Sequence, residues 1–174
     1  MIGLIEQQYN GYDENIRWVF QRADGFLDLG MIDHAHHELD KLPEKYLPGA
    51  VYSHFLLNIA FAQEDWAEAT DRAREVIDEC PENPEYWVKL AYAMRRAYSV
   101  EDAERVLKQA LKRFPDIGIF PYNLACYSAV LKKPDKAILL LERAVEQDPN
   151  YLEMAMNDKD LESVIAQFIA SRNL

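Results

Sequence analysis

The sequence predicts an all-α chain built from paired helices, and three observations predict it. Apolar residues recur at three- and four-residue steps, the period of one helical face. Only 6 Gly and 8 Pro occur in 174 residues, too few for a β fold made of many short strands and turns. Several columns also repeat at a step of 34 residues: Ala35, Ala69, Ala103 and Ala137, then Leu56, Leu90 and Leu124, then Pro81, Pro115 and Pro149. Ala23, Ala91 and Ala125 keep the same step, with Leu57 in the remaining slot. Few architectures use that period.

Cutting at the period gives four repeats, 16–49, 50–83, 84–117 and 118–151, between an N-terminal strap or short helix over 1–15 and a C-terminal cap over 152–174. Each repeat predicts two antiparallel helices. Expected spans are 16–29 and 33–42, 50–63 and 67–80, 84–97 and 101–113, 118–131 and 135–147, with a capping helix near 160–171. Trp87, Leu90, Ala91 and Met94 share one face of the fifth helix, and Val106, Leu107, Ala110 and Leu111 one face of the sixth. Asp33, Glu101 and Asp135 sit at or near second-helix starts, where a carboxylate suits unpaired N–H groups. Pro134 fits a first helical turn. Pro81, Pro115 and Pro149 stop second helices, because proline has no amide hydrogen and clashes with the preceding turn.

Two departures from the repeat are informative. Pro43 ends the second helix near Leu42 and leaves 43–49 as a longer loop. Leu57 occupies a position held elsewhere by alanine, while Ala73 occupies one held by large residues. This predicts a volume exchange, with both side chains buried and close. In the cap, Leu161, Val164, Ile165, Phe168 and Ile169 form an apolar stripe suited to covering the last repeat.

These columns resemble the tetratricopeptide repeat family. Repeat 84–117 carries the pattern most fully, in Trp87, Leu90, Ala91, Met94, Ala103, Leu107, Ala110 and Pro115. Repeat 118–151 supplies Leu124, Ala125, Ala137, Leu141, Ala144 and Pro149, but has Pro121 and Ser128 where bulky residues are usual. Asn157-Asp158-Lys159-Asp160-Leu161 is similar to a segment that closes many bacterial arrays of this family. The resemblance implies a right-handed superhelix of antiparallel helix pairs. It also implies a concave groove lined by the first helix of each repeat.

Composition narrows the partners. Asp plus Glu total 30 against 19 Lys plus Arg, a net charge of -11 that disfavours nucleic acid and anionic membrane surfaces. The charge is uneven: residues 1–49 carry -5, 50–83 carry -6, 84–117 carry +2, 118–151 balance, and 152–174 carry -2. Such a gradient would orient a partner. Cys80 and Cys126 fit neither a disulfide framework nor a zinc motif. No apolar run has transmembrane length, and Met-Ile-Gly-Leu-Ile-Glu lacks the basic start of a signal peptide, so a cytoplasmic protein is expected.

Catalytic chemistry is sparse. The sequence holds no phosphate-binding glycine loop, nucleophile elbow or His-Glu-x-x-His. His34 with His37 or Glu38 shares a helical face, which would allow a metal-dependent enzyme as a minor reading; a solvated surface is the preferred one. Glu64–Asp65 and Glu79–Glu82 lack a companion nucleophile and read as turns. No catalytic residue, metal or cofactor is expected.

Function is therefore expected in the groove. Carried over from the family by position, its partner-binding residues are Phe20 in the first repeat and His54, Asn58 and Phe61 in the second. Val88, Tyr92, Arg95 and Arg96 follow in the third, then Ile119, Tyr122, Cys126 and Val130 in the fourth. Val88, Tyr92, Ile119, Tyr122 and Val130 are expected to line one continuous, partly exposed apolar surface bordered by the two arginines. The leading expectation is a non-enzymatic adaptor or assembly factor that binds a protein segment there. The alternatives are a small secretion or assembly chaperone shielding an apolar segment, and a groove filled by the chain's own termini or by a second copy. The Lys, Asn and Arg clamp that some family members use on acidic chaperone tails is not matched, because Val88, Tyr92 and Ile119 stand at its positions.

Overall fold

A computed structural model describes residues 11–47 and 49–171. The expected strap over 1–15 falls largely outside the described residues. Ten α-helices and no strand occur among those residues. The chain divides into two compact units, residues 1–82 and 83–174.

The first unit contains α1 (Glu14–Asp28), α2 (Ile32–Leu39), a 3-10 turn at Glu44–Tyr46, α3 (Ala50–Ala62) and α4 (Trp66–Glu79). Helices α1 and α2 pack as one pair and α3 and α4 as the next. Phe20 of α1 stacks on Phe55 of α3, ring centroids 5.4 Å apart, at the centre of a core that includes Val19, Leu39, Val51 and Ile59. Leu57 and Ala73 are both fully buried, as the volume exchange requires.

The second unit contains α5 (Pro84–Ala97), α6 (Val100–Arg113), α7 (Ile119–Val130), α8 (Pro134–Gln147), α9 (Asn150–Met156), a 3-10 turn at Lys159–Leu161 and α10 (Glu162–Ser171). Helices α5 and α6 pair, as do α7 and α8, and α10 packs on α8. Leu107, Phe120, Leu124, Leu141, Leu161 and Phe168 fill the interior. Tyr86 is buried and Trp87 half-buried. Helix α9 was not expected from the sequence. It is one short run whose only buried side chain is Ala155, too brief to show a helical period.

Local chemistry explains the boundaries. Asp13, Asp65, Asn83 and Ser99 cap α1, α4, α5 and α6, each side-chain oxygen accepting from a first-turn amide. Asp33, Glu101 and Asp135 lie in the first turns of α2, α6 and α8. Helices α4, α6 and α8 each end two residues before Pro81, Pro115 and Pro149, since the residue before a proline is pushed out of the helical region. Helix α2 ends at Leu39, three residues before the expected Leu42, and a turn then leads to Pro43.

The turns inside the helix pairs repeat as strictly as the cores. Gly30, Glu64 and Lys132 occupy equivalent positions and all have positive φ, 69°, 56° and 57°. In each turn the next amide donates back across the helix end: Met31 to Phe26, Asp65 to Ala60 and Lys133 to Ser128, at 2.8, 2.9 and 2.9 Å. This is the left-handed closure that satisfies a helix's last carbonyls. Only the first of the three uses the residue that adopts it without strain. At the fourth equivalent position Tyr98 has φ -128°, and Ser99 starts the next helix directly.

Candidate functional site

The concave positions behave differently in the two units. In the first unit, Phe20 belongs to the core, against Phe55 and edge-on to Tyr12. His54 is also buried, its Nε2 2.9 Å from the Asn58 side-chain amide. Both correct the expectation of groove-facing side chains: Phe20 reaches Phe55 of the neighbouring helix, and His54 is held on its own helix by Asn58 and edge-on to Phe55. Asn58 and Phe61 remain half-buried. Asp24 lies on the same face of α1, and burial, then the Asp28 charge one turn away, raises its carboxyl above the usual range.

In the second unit, Val88, Tyr92, Arg95 and Arg96 share one face of α5, because they recur at helical steps. Tyr92 is 45% exposed, Arg96 is exposed, and Val88 is half-buried. On α7, Ile119 is half-buried and Val130 exposed. Tyr122 and Cys126 between them are buried, at 4% and 3% exposure. The expected continuous apolar surface is thus interrupted at α7.

The interruption is the chain's own C-terminal segment. The turn at Lys159–Leu161 packs against α7. Asp158 leads into it and accepts from the Asp160 amide at 2.9 Å. The Tyr122 hydroxyl donates to Asp158 Oδ2 at 2.8 Å, and the Cys126 thiol lies 3.4 Å from the same oxygen. Arg95 reaches across from α5 and grips Asp160 with two guanidinium nitrogens, Nη2 to Oδ1 at 2.9 Å and Nη1 to Oδ2. Its guanidinium also lies 5.2 Å from the Tyr127 ring centre. Tyr151 of α9 stacks on Tyr122 at 5.1 Å. Leu161, Val164 and Phe168 are buried to 1% or less and anchor the segment.

Protonation follows from this packing. Burial, reinforced by Asp158, drives the Tyr122 phenol and the Cys126 thiol far up. Burial pushes Tyr127 up to about 12, although Arg95 opposes it. Cys126 is therefore a neutral thiol at physiological pH, and only a thiolate is a nucleophile or metal ligand. Cys126, Asp158 and Asp160 form the single group among the described residues whose potential ligand atoms lie within 4.8 Å of one another. Arg95 already neutralises Asp160, and Tyr122 and Cys126 both turn to Asp158. The arrangement is a closed hydrogen-bond network with a guanidinium where a cation would sit.

The other candidate residues have structural contacts of their own. The His34 ring packs 5.2 Å from that of Phe26. Glu38 is buried and held by Arg22 and Lys41 at 2.8 and 2.6 Å. Asp65 caps α4. Sequence reasoning missed Asp158, Asp160 and Tyr127 as partners of the concave face. The available signal was the pair of aspartates just before the apolar stripe of the cap, and an arginine on α5.

Among the described residues no helix is long and apolar enough to cross a membrane. No curated protein matches the sequence. Solved structures do. MamA from Desulfovibrio magneticus RS-1, residues 41 to the end, superposes with a TM-score of 0.69 at 14% identity, covering 91% of this chain and 93% of that one. YrrB, a tetratricopeptide repeat protein with an unusual peptide-binding site, gives 0.64 at 16% identity over 87% and 84% of the two chains. TTC0263, a thermophilic tetratricopeptide repeat protein of Thermus thermophilus, gives 0.60 at 16% identity over 90% and 82%. Two tetratricopeptide repeat profiles match the sequence, one over residues 60–117 and one over 95–151, together more than half of the chain. With the 34-residue register, the helix pairs and these matches in agreement, the chain belongs to the tetratricopeptide repeat family and has its all-α helix-pair solenoid fold.

Proposed function

We propose that this protein is a non-enzymatic protein–protein interaction module of the cytoplasm, an adaptor or assembly factor that binds an extended or helical protein segment. The observation that carries this reading is the face of α5. There a 45% exposed tyrosine, Tyr92, has half-buried Val88 one turn before it and exposed Arg96 one turn after it. An amphipathic ring on a rigid helix beside a guanidinium is the composition of an interface anchor. The fold supports the reading, since helix-pair solenoids present extended binding surfaces, and YrrB is a relative in fold with a peptide-binding site. A net charge of -11 favours a protein partner over nucleic acid or an anionic membrane.

Tyr92→Ala tests the proposal. Binding of the partner captured from native extract is expected to weaken by about 1–2 kcal/mol. The stability loss is expected to be smaller than that of Leu90→Ala, a core truncation expected to cost about 2–5 kcal/mol. Unchanged capture together with a large fall in melting temperature would mean that Tyr92 is a packing residue and the binding face lies elsewhere.

A further inference from the structure

We infer that Asp160 is an internal competitor: it holds Arg95 in place of a carboxylate carried by the partner, so the segment that docks on α5 is acidic. The inference rests on the α5 reading above and names the chemistry of its partner.

Three features lead to it. First, Arg95 lies on the α5 face that also carries Tyr92, and its present occupant is a carboxylate gripped by two nitrogens. A guanidinium fork matches carboxylate geometry whatever chain supplies the carboxylate. Second, the pair is within reach of a ligand. The side chains of Arg95 and Asp160 are 28% and 25% exposed, whereas Leu161 next to Asp160 is fully buried. An incoming carboxylate can displace the Asp160 side chain while Leu161, Val164 and Phe168 keep the cap docked. Third, charge favours an acidic visitor here, since residues 84–117 are the one repeat with a positive balance, 7 basic against 5 acidic residues. The remaining carboxylate of the turn, Asp158, is engaged by Tyr122 and does not compete for Arg95.

The cis carboxylate has the advantage of tethering. Held a few residues from a fully buried anchor, it acts at an effective concentration in the millimolar range or above, which a free peptide does not match. Removing its charge should therefore uncover binding that the intact protein suppresses.

The test uses the full-length chain and a fluorescein-labelled peptide with the sequence of residues 155–163, read by anisotropy at low salt. Asp160→Asn is expected to bind this peptide at least ten-fold more tightly than the unaltered protein. A C-terminally amidated peptide with Asp158, Asp160 and Glu162 replaced by asparagine, asparagine and glutamine should show no such gain, and adding Arg95→Gln to Asp160→Asn should abolish it. Cys126 should stay shielded from a thiol reagent in Asp160→Asn, showing that the cap remains in place. Equal peptide binding by the unaltered protein and Asp160→Asn would overturn the inference, and so would a gain that survives Arg95→Gln. Cys126 becoming reactive in Asp160→Asn would also overturn it, since the pair would then be the clasp of the cap. A gain that Tyr92→Ala leaves intact would support the competition at Arg95 and count against Tyr92 as the anchor.

Discussion

The first and second units use the same 34-residue register and differ in what they do with its concave face. In the first unit Phe20 of that face turns into the core, onto Phe55, and the charge is left unbalanced: residues 1–82 carry the whole net charge of -11. In the second unit the charges balance, and the concave face of α7 is sealed by a segment more than thirty residues further along the chain, through Tyr122 to Asp158 and Cys126 to Asp158. Among the described residues, α5 alone keeps a large aromatic side chain of this face exposed, Tyr92. A repeat register thus fixes which residues share a face, but the elements that pack over the face decide whether it is a surface.

The largest effect that would sharpen this contrast comes from the cap anchor. Leu161→Ala removes a fully buried side chain and is expected to cost about 2–5 kcal/mol of the second unit's stability. It should also raise the rate at which a thiol reagent reaches Cys126. Denaturant unfolding and thiol labelling measure the two effects, and a stable variant with Cys126 still shielded would mean that the seal does not depend on Leu161.

A smaller effect separates the turns. Glu64→Gly and Lys132→Gly relieve a left-handed backbone at exposed positions and should each stabilise by up to about 1 kcal/mol. Tyr98→Gly at the equivalent position of the third repeat has no such strain to relieve and should cost about 0.5–1 kcal/mol through backbone entropy. Melting curves of the three variants check the sign, and a common sign would show that the turns do not differ as their φ values require.

Much of this molecule is legible in its sequence because repeats average out local ambiguity. The alanine columns Ala35, Ala69, Ala103 and Ala137 mark fully buried close approaches, and the prolines mark helix ends. The burial of Leu57 and Ala73 is legible for the same reason, since both fall in columns of the repeat that face inward. The site is less legible because it is made by contacts without a period. Nothing at Tyr122 or Cys126 announces that Asp158, more than thirty positions later, will sit over them. The left-handed turns at Glu64 and Lys132 are hidden as well, because only Gly30 carries the residue that signals that conformation. Asn157-Asp158-Lys159-Asp160-Leu161 is visible as a closing element, but its carboxylates gain their meaning only from Arg95 and Tyr122.

The two cysteines allow the most direct test of the sealed face, since each unit has one. Cys80 is half-buried at the end of α4, and Cys126 is buried beneath Asp158. Timed labelling of the native protein with a thiol reagent, followed by peptide mass mapping, should show Cys80 modified readily. Cys126 should be modified only as slowly as the second unit opens. Modification of Cys126 at the rate of Cys80 would contradict the account, because the C-terminal segment would then not be holding the concave face of α7 closed.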